Sequence, residues 1–127
     1  MSNSREYYNE MQSYLSKISI ANKKIEKCEN LISSFQKIEN LQSIDDELKE
    51  AKTFIENGFV TDGKTFDDGE IESCRGDIAN IQSKSRLIQT NINKCIETEK
   101  ENIKSYEQGY NNAKTNYLQA RKNEMED

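Results

Sequence analysis

The sequence predicts an all-α fold, a long antiparallel helical hairpin whose two helices form a two-stranded coiled coil. The chain of 127 residues contains no proline, and its apolar residues recur in alternating steps of three and four on both sides of one glycine-rich segment. Such spacing keeps one narrow face of a helix apolar over many turns, as a helix needs when it packs lengthwise against another helix. We therefore expect residues 1–127 to form a single helical-hairpin domain.

The first helix is predicted from about residue 4 to residue 57. Asn3 or Ser4 can cap its first amides, and Gly58 can adopt the left-handed conformation that ends a helix. The apolar positions are Met11, Tyr14, Ile18, Ala21, Ile25, Cys28, Ile32 and Phe35, followed by Ile38, Leu41, Ile44, Leu48, Ala51 and Ile55. Because the second run is out of step with the first, we expect a bend or a short break near residues 36–42.

The turn is predicted at residues 58–67, in a segment that holds three of the five glycines if Gly69 is included. We interpret Phe59, Gly63, Phe66 and Asp67 as its motif residues. The two phenylalanines are expected to fold back over the open end of the hairpin. Thr65 or Asp67 can cap the second helix, and Asp67 then lies where the helix N-terminus favours negative charge.

The second helix is predicted from about residue 68 to residue 123. Its apolar positions are Ile71, Cys74, Ile78, Ile81, Ser85, Ile88, Ile92 and Cys95, followed by Glu99, Ile103, Tyr106, Tyr110, Ala113, Tyr117 and Ala120. The step from Cys95 to Glu99 shifts the repeat by four residues, which predicts a stutter in a continuous helix. Gly76 and Gly109 lie inside this helix and mark either a close approach of the two helices or a soft point.

The two apolar rows match each other when the chain doubles back near residue 62. In that register Ile32 lies beside Ile92, Ile18 beside Tyr106, Tyr14 beside Tyr110, Met11 beside Ala113 and Tyr7 beside Tyr117. Each row is defined by the residues of its own helix alone. The agreement therefore favours an intramolecular antiparallel pair over two independent helices.

The composition argues against catalysis and against nucleic-acid binding. The net charge is -5 with the two signs interspersed, histidine is absent, and the three cysteines form no Cys-x-x-Cys pair. Without imidazole or zinc-site spacing, we assign no catalytic, metal-binding or cofactor-binding residue, and we expect a protein that is not an enzyme. We expect Cys28, Cys74 and Cys95 to be small core residues. A Cys28–Cys95 disulfide is not expected, because the axes of packed helices are about 8 to 10 Å apart.

Targeting signals are not apparent in the sequence. No stretch approaches the roughly 20 apolar residues needed to span a bilayer, and the first residues lack the apolar run of a signal peptide. We expect a protein made in the cytoplasm without membrane insertion. Any secretion would then use a route that reads no cleaved signal peptide.

Several apolar residues lie off the predicted helix contact and are candidates for binding a partner. They have two interpretations: scattered surface residues, which are common, or a second row for another helix. Docking a second hairpin would complete a four-helix bundle. The six tyrosines, three near each terminus, similarly suit either an interface or packing at the open end. The candidate partner-binding residues are Tyr8, Leu15, Leu31, Ile38, Leu87, Ile96 and Leu118.

The segment from Asn57 to Asp68, which reads Asn-Gly-Phe-Val-Thr-Asp-Gly-Lys-Thr-Phe-Asp-Asp between two long helices, carries a family resemblance. It resembles the central turn of the small helical-hairpin proteins of the type VII (ESX-like) secretion system of Gram-positive bacteria. The length and the Gly-Lys-x-Phe-Asp run look most like the accessory proteins encoded beside LXG toxins. The family's Trp-X-Gly turn is absent, since the chain has no tryptophan, and so is its C-terminal Tyr-x-x-x-Asp/Glu signal.

The resemblance implies a non-catalytic, chaperone-like accessory or targeting factor that binds the helical N-terminal domain of a secreted toxin. A second small helical protein, or a homodimer, is the other partner that we consider. The alternative function is a self-associating structural coiled-coil scaffold without cargo. Partner binding and self-association have different expected outcomes: a complex with a neighbouring gene product in the first case, and an oligomer of the chain alone in the second.

Overall fold

The computed structural model of the protein describes residues 4–58 and 69–126. Helix α1 spans Ser4–Gln36, a 3₁₀ segment follows at Lys37–Asn40, α2 spans Leu41–Gly58 and α3 spans Gly69–Glu126. No strand occurs in these two ranges, so the predicted all-α class is confirmed. The predicted turn, with Phe59, Gly63, Phe66 and Asp67, lies outside the described residues.

The chain divides into two compact units, and each contains an antiparallel helix pair. Unit 1 comprises Met1–Glu29 and Ile92–Asp127, and unit 2 comprises Asn30–Asn91. In unit 1 the hydroxyl of Ser4 donates a hydrogen bond to Glu124, while Lys24 lies 3.9 Å from Glu99. Moving along the pair, the residue numbers thus increase on one helix and decrease on the other, as in an antiparallel helical hairpin.

Unit 2 has the same antiparallel order. Asp45 pairs with Arg75, and Lys52 pairs with Glu72, so a later residue of α2 meets an earlier residue of α3. Both contacts lie within a few residues of the register that the two apolar rows predict. The predicted hairpin is therefore found in both units.

The predicted break near residues 36–42 is confirmed as the 3₁₀ segment. The residues that are partly buried here are Phe35, Ile38 and Leu41, which follow one another in two steps of three. A 3₁₀ helix has three residues per turn, so it aligns side chains at i and i+3 on one face. At this phase change a regular α-helix would turn its packed face away from the partner helix. The tighter 3₁₀ winding keeps that face in contact.

Helix α3 packs with a different face from the one that the sequence predicted. Apart from Asn102 and Gly109, its buried or half-buried residues follow an unbroken alternation of four and three, and we call this row the seam of α3. The seam consists of Ile71, Arg75, Ile78, Gln82, Ser85, Gln89, Ile92, Ile96, Glu99, Ile103, Tyr106, Tyr110, Ala113, Tyr117 and Ala120.

The predicted stutter after Cys95 and the seam assignments of Cys74, Ile81, Ile88 and Cys95 are wrong. The phase of α3 is set where its large apolar residues are densest, from Ile96 to Ala120. A continuous α-helix keeps that phase unless it is locally unwound. The seam therefore continues back through Gln89, Gln82 and Arg75, and the four apolar residues one position earlier are left exposed.

Unit 1 contains most of the buried apolar side chains. Met11, Ala21, Ile96, Ala113 and Ala120 are each at most 9% exposed. Ile96 was predicted to lie off the helix contact, and that placement is wrong because the seam passes through it. Small residues on both helices allow their backbones to approach closely, and the burial of this row stabilises the pair.

The tyrosines of unit 1 pack along the seam and beside it. Tyr14 and Tyr106 both lie under the ammonium of Lys17, at 5.3 Å and 5.9 Å from its nitrogen to the ring centroids. Tyr8 and Tyr117 are in ring contact with centroids 6.1 Å apart, which is one residue away from the predicted Tyr7–Tyr117 pair. These contacts place Tyr8, Tyr14, Tyr106 and Tyr117 in packing within unit 1.

Candidate partner-binding surface

Unit 2 holds its helices together with a seam that contains charged and amide side chains. Arg75 donates through Nε to Asp45 at 3.1 Å and through a terminal nitrogen to Glu72 at 3.3 Å. Lys52 lies 2.8 Å from the same Glu72 carboxylate. Farther along the seam, Gln89 donates to the hydroxyl of Ser85 at 3.2 Å. The polar seam is thus satisfied internally, but it buries less apolar surface than a seam of leucine and isoleucine would.

The ion pairs of this seam shift two ionisable groups in the expected directions. The hydrogen bond from Lys52, assisted by the charges of Lys52 and Arg75, lowers the pKa of the Glu72 carboxyl. The hydrogen bond to Asp45 raises the pKa of the Arg75 guanidinium. Both shifts favour the charged forms.

One side of unit 2 is polar. In an antiparallel pair, the residues that immediately follow a seam residue lie on the same side of both helices. Gln42, Glu72 and Ala79 show this, since they line one open cleft of about 370 Å³ together with Gly76. We call this side the polar flank. Its members in unit 2 include Gln42, Lys49, Glu72, Gly76, Ala79 and Ser83.

The opposite side of unit 2 is apolar, and it consists of residues that immediately precede a seam residue. Large exposed side chains occur here on both helices, with Ile44 and Ile81 each 46% exposed, Leu31 42% and Ile88 41%. Cys74 belongs to the same row and is also exposed. We call Leu31, Ile44, Cys74, Ile81 and Ile88 the apolar flank. Isoleucine at three such positions is the pattern of a helix pair that packs against further helices.

The predicted partner-binding residues are distributed over both units. Leu31 belongs to the apolar flank, whereas Ile38 is half-buried at the 3₁₀ segment and Ile96 is buried in unit 1. Leu87 is exposed on α3 but lies off the apolar flank. Tyr8, Leu15 and Leu118 are exposed residues of unit 1. Of the seven, only Leu31 is brought together with other exposed apolar residues of unit 2.

Four members of the apolar flank were not predicted to be exposed on it. Ile44, Cys74, Ile81 and Ile88 were assigned to the helix contact because they are apolar and heptad-spaced. A continuous heptad counted backwards from Ala120 identifies Cys74, Ile81 and Ile88 as exposed. The same heptad places Arg75, Gln82 and Gln89 in the helix contact. Apolar content alone favours the face of α3 that contains Cys74, Ile81 and Ile88.

The cysteines do not form a common chemical site. Cys74 and Cys95 are exposed and Cys28 is half-buried, and all three are free thiols. The expectation that all three are core residues is therefore wrong for Cys74 and Cys95. Within residues 4–58 and 69–126, no cluster of three or more metal-binding side chains occurs. The helices of the same ranges include none with the length and apolar character needed to cross a membrane.

Comparison with known proteins gives no match: no family model, no curated protein and no solved structure is significantly similar to this chain.

Proposed function

We propose that this chain is a non-catalytic protein that binds another helical chain through the apolar flank of unit 2. The observation that supports this function is the inverted distribution of polarity in unit 2. Arg75, Gln82 and Gln89 occupy the helix contact, while Cys74, Ile81 and Ile88 are exposed one residue earlier. Covering these side chains removes apolar surface from water, which is the main favourable contribution to association.

A partner helix fits this surface better than a globular face or a small molecule does. The members of the flank on α3 recur at Cys74, Ile81 and Ile88, every seven residues on one helix. A helix laid against them can place its own side chains between them along its length. The polar flank has an open cleft instead, with charged side chains that remain hydrated.

The resemblance of residues 57–68 to type VII secretion proteins suggests the biological partner. We propose an accessory or targeting factor, chaperone-like in action, that binds the helical N-terminal domain of a toxin in a Gram-positive bacterium. It would be made in the cytoplasm and act there, or be exported with the toxin without a cleaved signal peptide. The alternative function is a self-associating coiled-coil scaffold that has no cargo.

Co-expression with the products of neighbouring genes tests this proposal. We expect a tagged full-length chain to retain one such protein, in particular one with an LXG-type N-terminal domain. Ile81→Glu should abolish retention, because it places a charge in the centre of the flank. Ser83→Glu adds the same charge on the polar flank, two residues away, and should bind normally. Failure of every neighbour to bind, or equal binding by both variants, would contradict the proposal.

A further inference from the structure

Charged residues are arranged in a specific order along the apolar side of unit 2. On α3, Asp77 and Lys84 each immediately precede a seam residue and stand on either side of Ile81. The order along the helix is therefore acid, isoleucine, base. Seven residues separate the two charges, which is about 10 Å along the helix axis.

The other helical segment of the pair carries its charges in the reverse order along the chain, which is base, isoleucine, acid. Glu47 in α2 immediately precedes the half-buried Leu48, and Lys37 in the 3₁₀ segment immediately precedes the half-buried Ile38. These two charges stand on either side of Ile44. Because the Asp45–Arg75 ion pair fixes an antiparallel register, Glu47 lies on the Asp77 side of the flank and Lys37 on the Lys84 side. The apolar centre is thus bordered by two acids at one end and two bases at the other.

These charges have no partner within the described chain. Asp77, Lys84, Glu47 and Lys37 are all exposed, and the ion pairs found among the described residues involve other side chains. Placing like charges on the same side of a helix pair is unfavourable by itself. An occupant that brings the opposite charge to each end would relieve this repulsion.

We infer that the occupant of the apolar flank in the free protein is a second copy of this chain, docked antiparallel about a two-fold axis near Ile44 and Ile81. Rotation about that axis places the acids of one copy over the bases of the other. Each ion pair then occurs twice, since a two-fold interface is self-complementary. This inference rests on the proposed function, because it names the first partner of the same surface.

The same arrangement determines which apolar side chains of the two copies contact each other. Rotation about the axis brings Ile81 close to its own copy and Cys74 close to Ile88 of the second copy. Helix α3 then faces its own copy, and α2 faces its own copy, all in antiparallel order. The result in this region is a four-helix bundle whose inner layers combine the polar seams with the two apolar flanks.

Sedimentation equilibrium of the full-length chain over a wide concentration range tests the inference. We expect a dimer for the wild-type chain and for the Ser83→Glu control, and a monomer for Ile81→Glu. Circular dichroism would establish that each variant keeps its helix content. A wild-type chain that remains monomeric throughout would overturn the inference. If that monomer still binds a neighbouring gene product, the proposed function stands, so the two failures are distinguishable.

Charge exchange tests the antiparallel orientation. Asp77→Lys makes the row wholly basic, Lys84→Asp makes it wholly acidic, and each should weaken self-association about tenfold. The double variant restores one charge of each sign and should recover wild-type association. Mixing the two single variants should yield a heterodimer in preference to either homodimer. Single variants that self-associate as tightly as the wild type would overturn the proposed docking.

Discussion

The ring of Tyr14 lies directly against the backbone of Gly109 in unit 1. A Cβ placed on this glycine would stand 2.5 Å from Cζ and 2.9 Å from the hydroxyl oxygen of Tyr14. A side chain at this position would therefore displace the Tyr14 ring, whereas glycine allows the ring to pack against the helix backbone. Gly76, the other glycine in the interior of α3, has no atom within 4 Å of the corresponding position.

These two glycines give a matched pair of substitutions. Gly76→Ala should raise the free energy of unfolding by about 1 kcal/mol, because alanine favours the helix and meets no obstacle. Gly109→Ala should lose that gain, since the Tyr14 ring must move away from the seam. Urea unfolding of both variants would measure the difference. A stabilisation of Gly109→Ala equal to that of Gly76→Ala would contradict the close approach.

The first turn of α1 is held by a side chain from the far end of α3. Both the backbone nitrogen and the hydroxyl of Ser4 donate to the carboxylate of Glu124, at 3.3 Å and 3.0 Å. A carboxylate at a helix N-terminus is favourable for the free amides and for the helix dipole. Glu124→Ala should destabilise unit 1 by about 1 kcal/mol, whereas Glu126→Ala, at an exposed position, should not. Amide hydrogen exchange in the first turn of α1 would report the loss as faster exchange.

The Asp45–Arg75 ion pair should behave as a register device of the unit 2 seam. Asp45→Leu alone leaves the guanidinium with Glu72 as its remaining partner and an apolar side chain in place of Asp45. Arg75→Leu alone leaves the Asp45 carboxylate facing an apolar side chain. Each single variant should therefore be less stable than the double variant, in which both charges are replaced by packing residues. Urea midpoints of the four chains form the double-mutant cycle. Additive single effects would show that the pair is not coupled.

The lowered pKa of Glu72 predicts an acid-sensitive contribution to stability. A carboxyl whose folded pKa lies below its unfolded value stabilises the fold above the unfolded pKa, and this contribution is lost as the pH falls through the folded pKa. Lowering the pH from about 6 to about 3 should therefore weaken the wild-type chain more than Glu72→Gln. Glu50→Gln, at an exposed position on α2, is the control. Parallel urea midpoints for wild type and Glu72→Gln across this range would refute the prediction.

The two exposed cysteines should be distinguishable from Cys28 by their reactivity. In the Ile81→Glu variant, which should be monomeric, a maleimide should modify Cys74 and Cys95 quickly and the half-buried Cys28 slowly, because access limits the reaction. Mass spectrometry of the labelled peptides would give the three rates. Equal rates in native conditions would contradict the observed exposure. Covering the apolar flank should protect Cys74 in particular, which provides a probe for both proposals.

Much of the fold could be predicted from the spacing of apolar residues. The two long helices and their antiparallel register follow from the heptad periods, and the phase change after Phe35 predicts the break that is found as the 3₁₀ segment at residues 37–40. The face of α3 in unit 2 could not be predicted in this way, because hydrophobicity favours Ile81 and Ile88 over Gln82 and Gln89. Helix continuity from the well-packed region near Ala113 is the competing constraint, and it decides the outcome.

The candidate surface was only partly predicted for the same reason. Leu31 was identified because it stands off the first-helix row, but Ile44, Ile81 and Ile88 were assigned to the helix contact. Their exposure depends on a difference of one residue in phase, which rotates each side chain by about 100° about the helix axis. A pattern of apolar residues does not fix the phase when both faces are usable. The ion pair between Asp45 and Arg75 identifies the phase that unit 2 adopts.

The polar seam of unit 2 has a thermodynamic consequence for heating experiments. Because Arg75, Gln82 and Gln89 alternate with Ile71, Ile78 and Ser85 in its seam, this helix pair buries less apolar surface than a wholly apolar pair would, and its melting should respond to mass action. Its midpoint should rise with protein concentration, and rise further with a saturating ligand that covers the isoleucines. Unit 1, which contains Met11 and Ala113, is stabilised by its own buried apolar side chains. Its melting midpoint should therefore be insensitive to dilution.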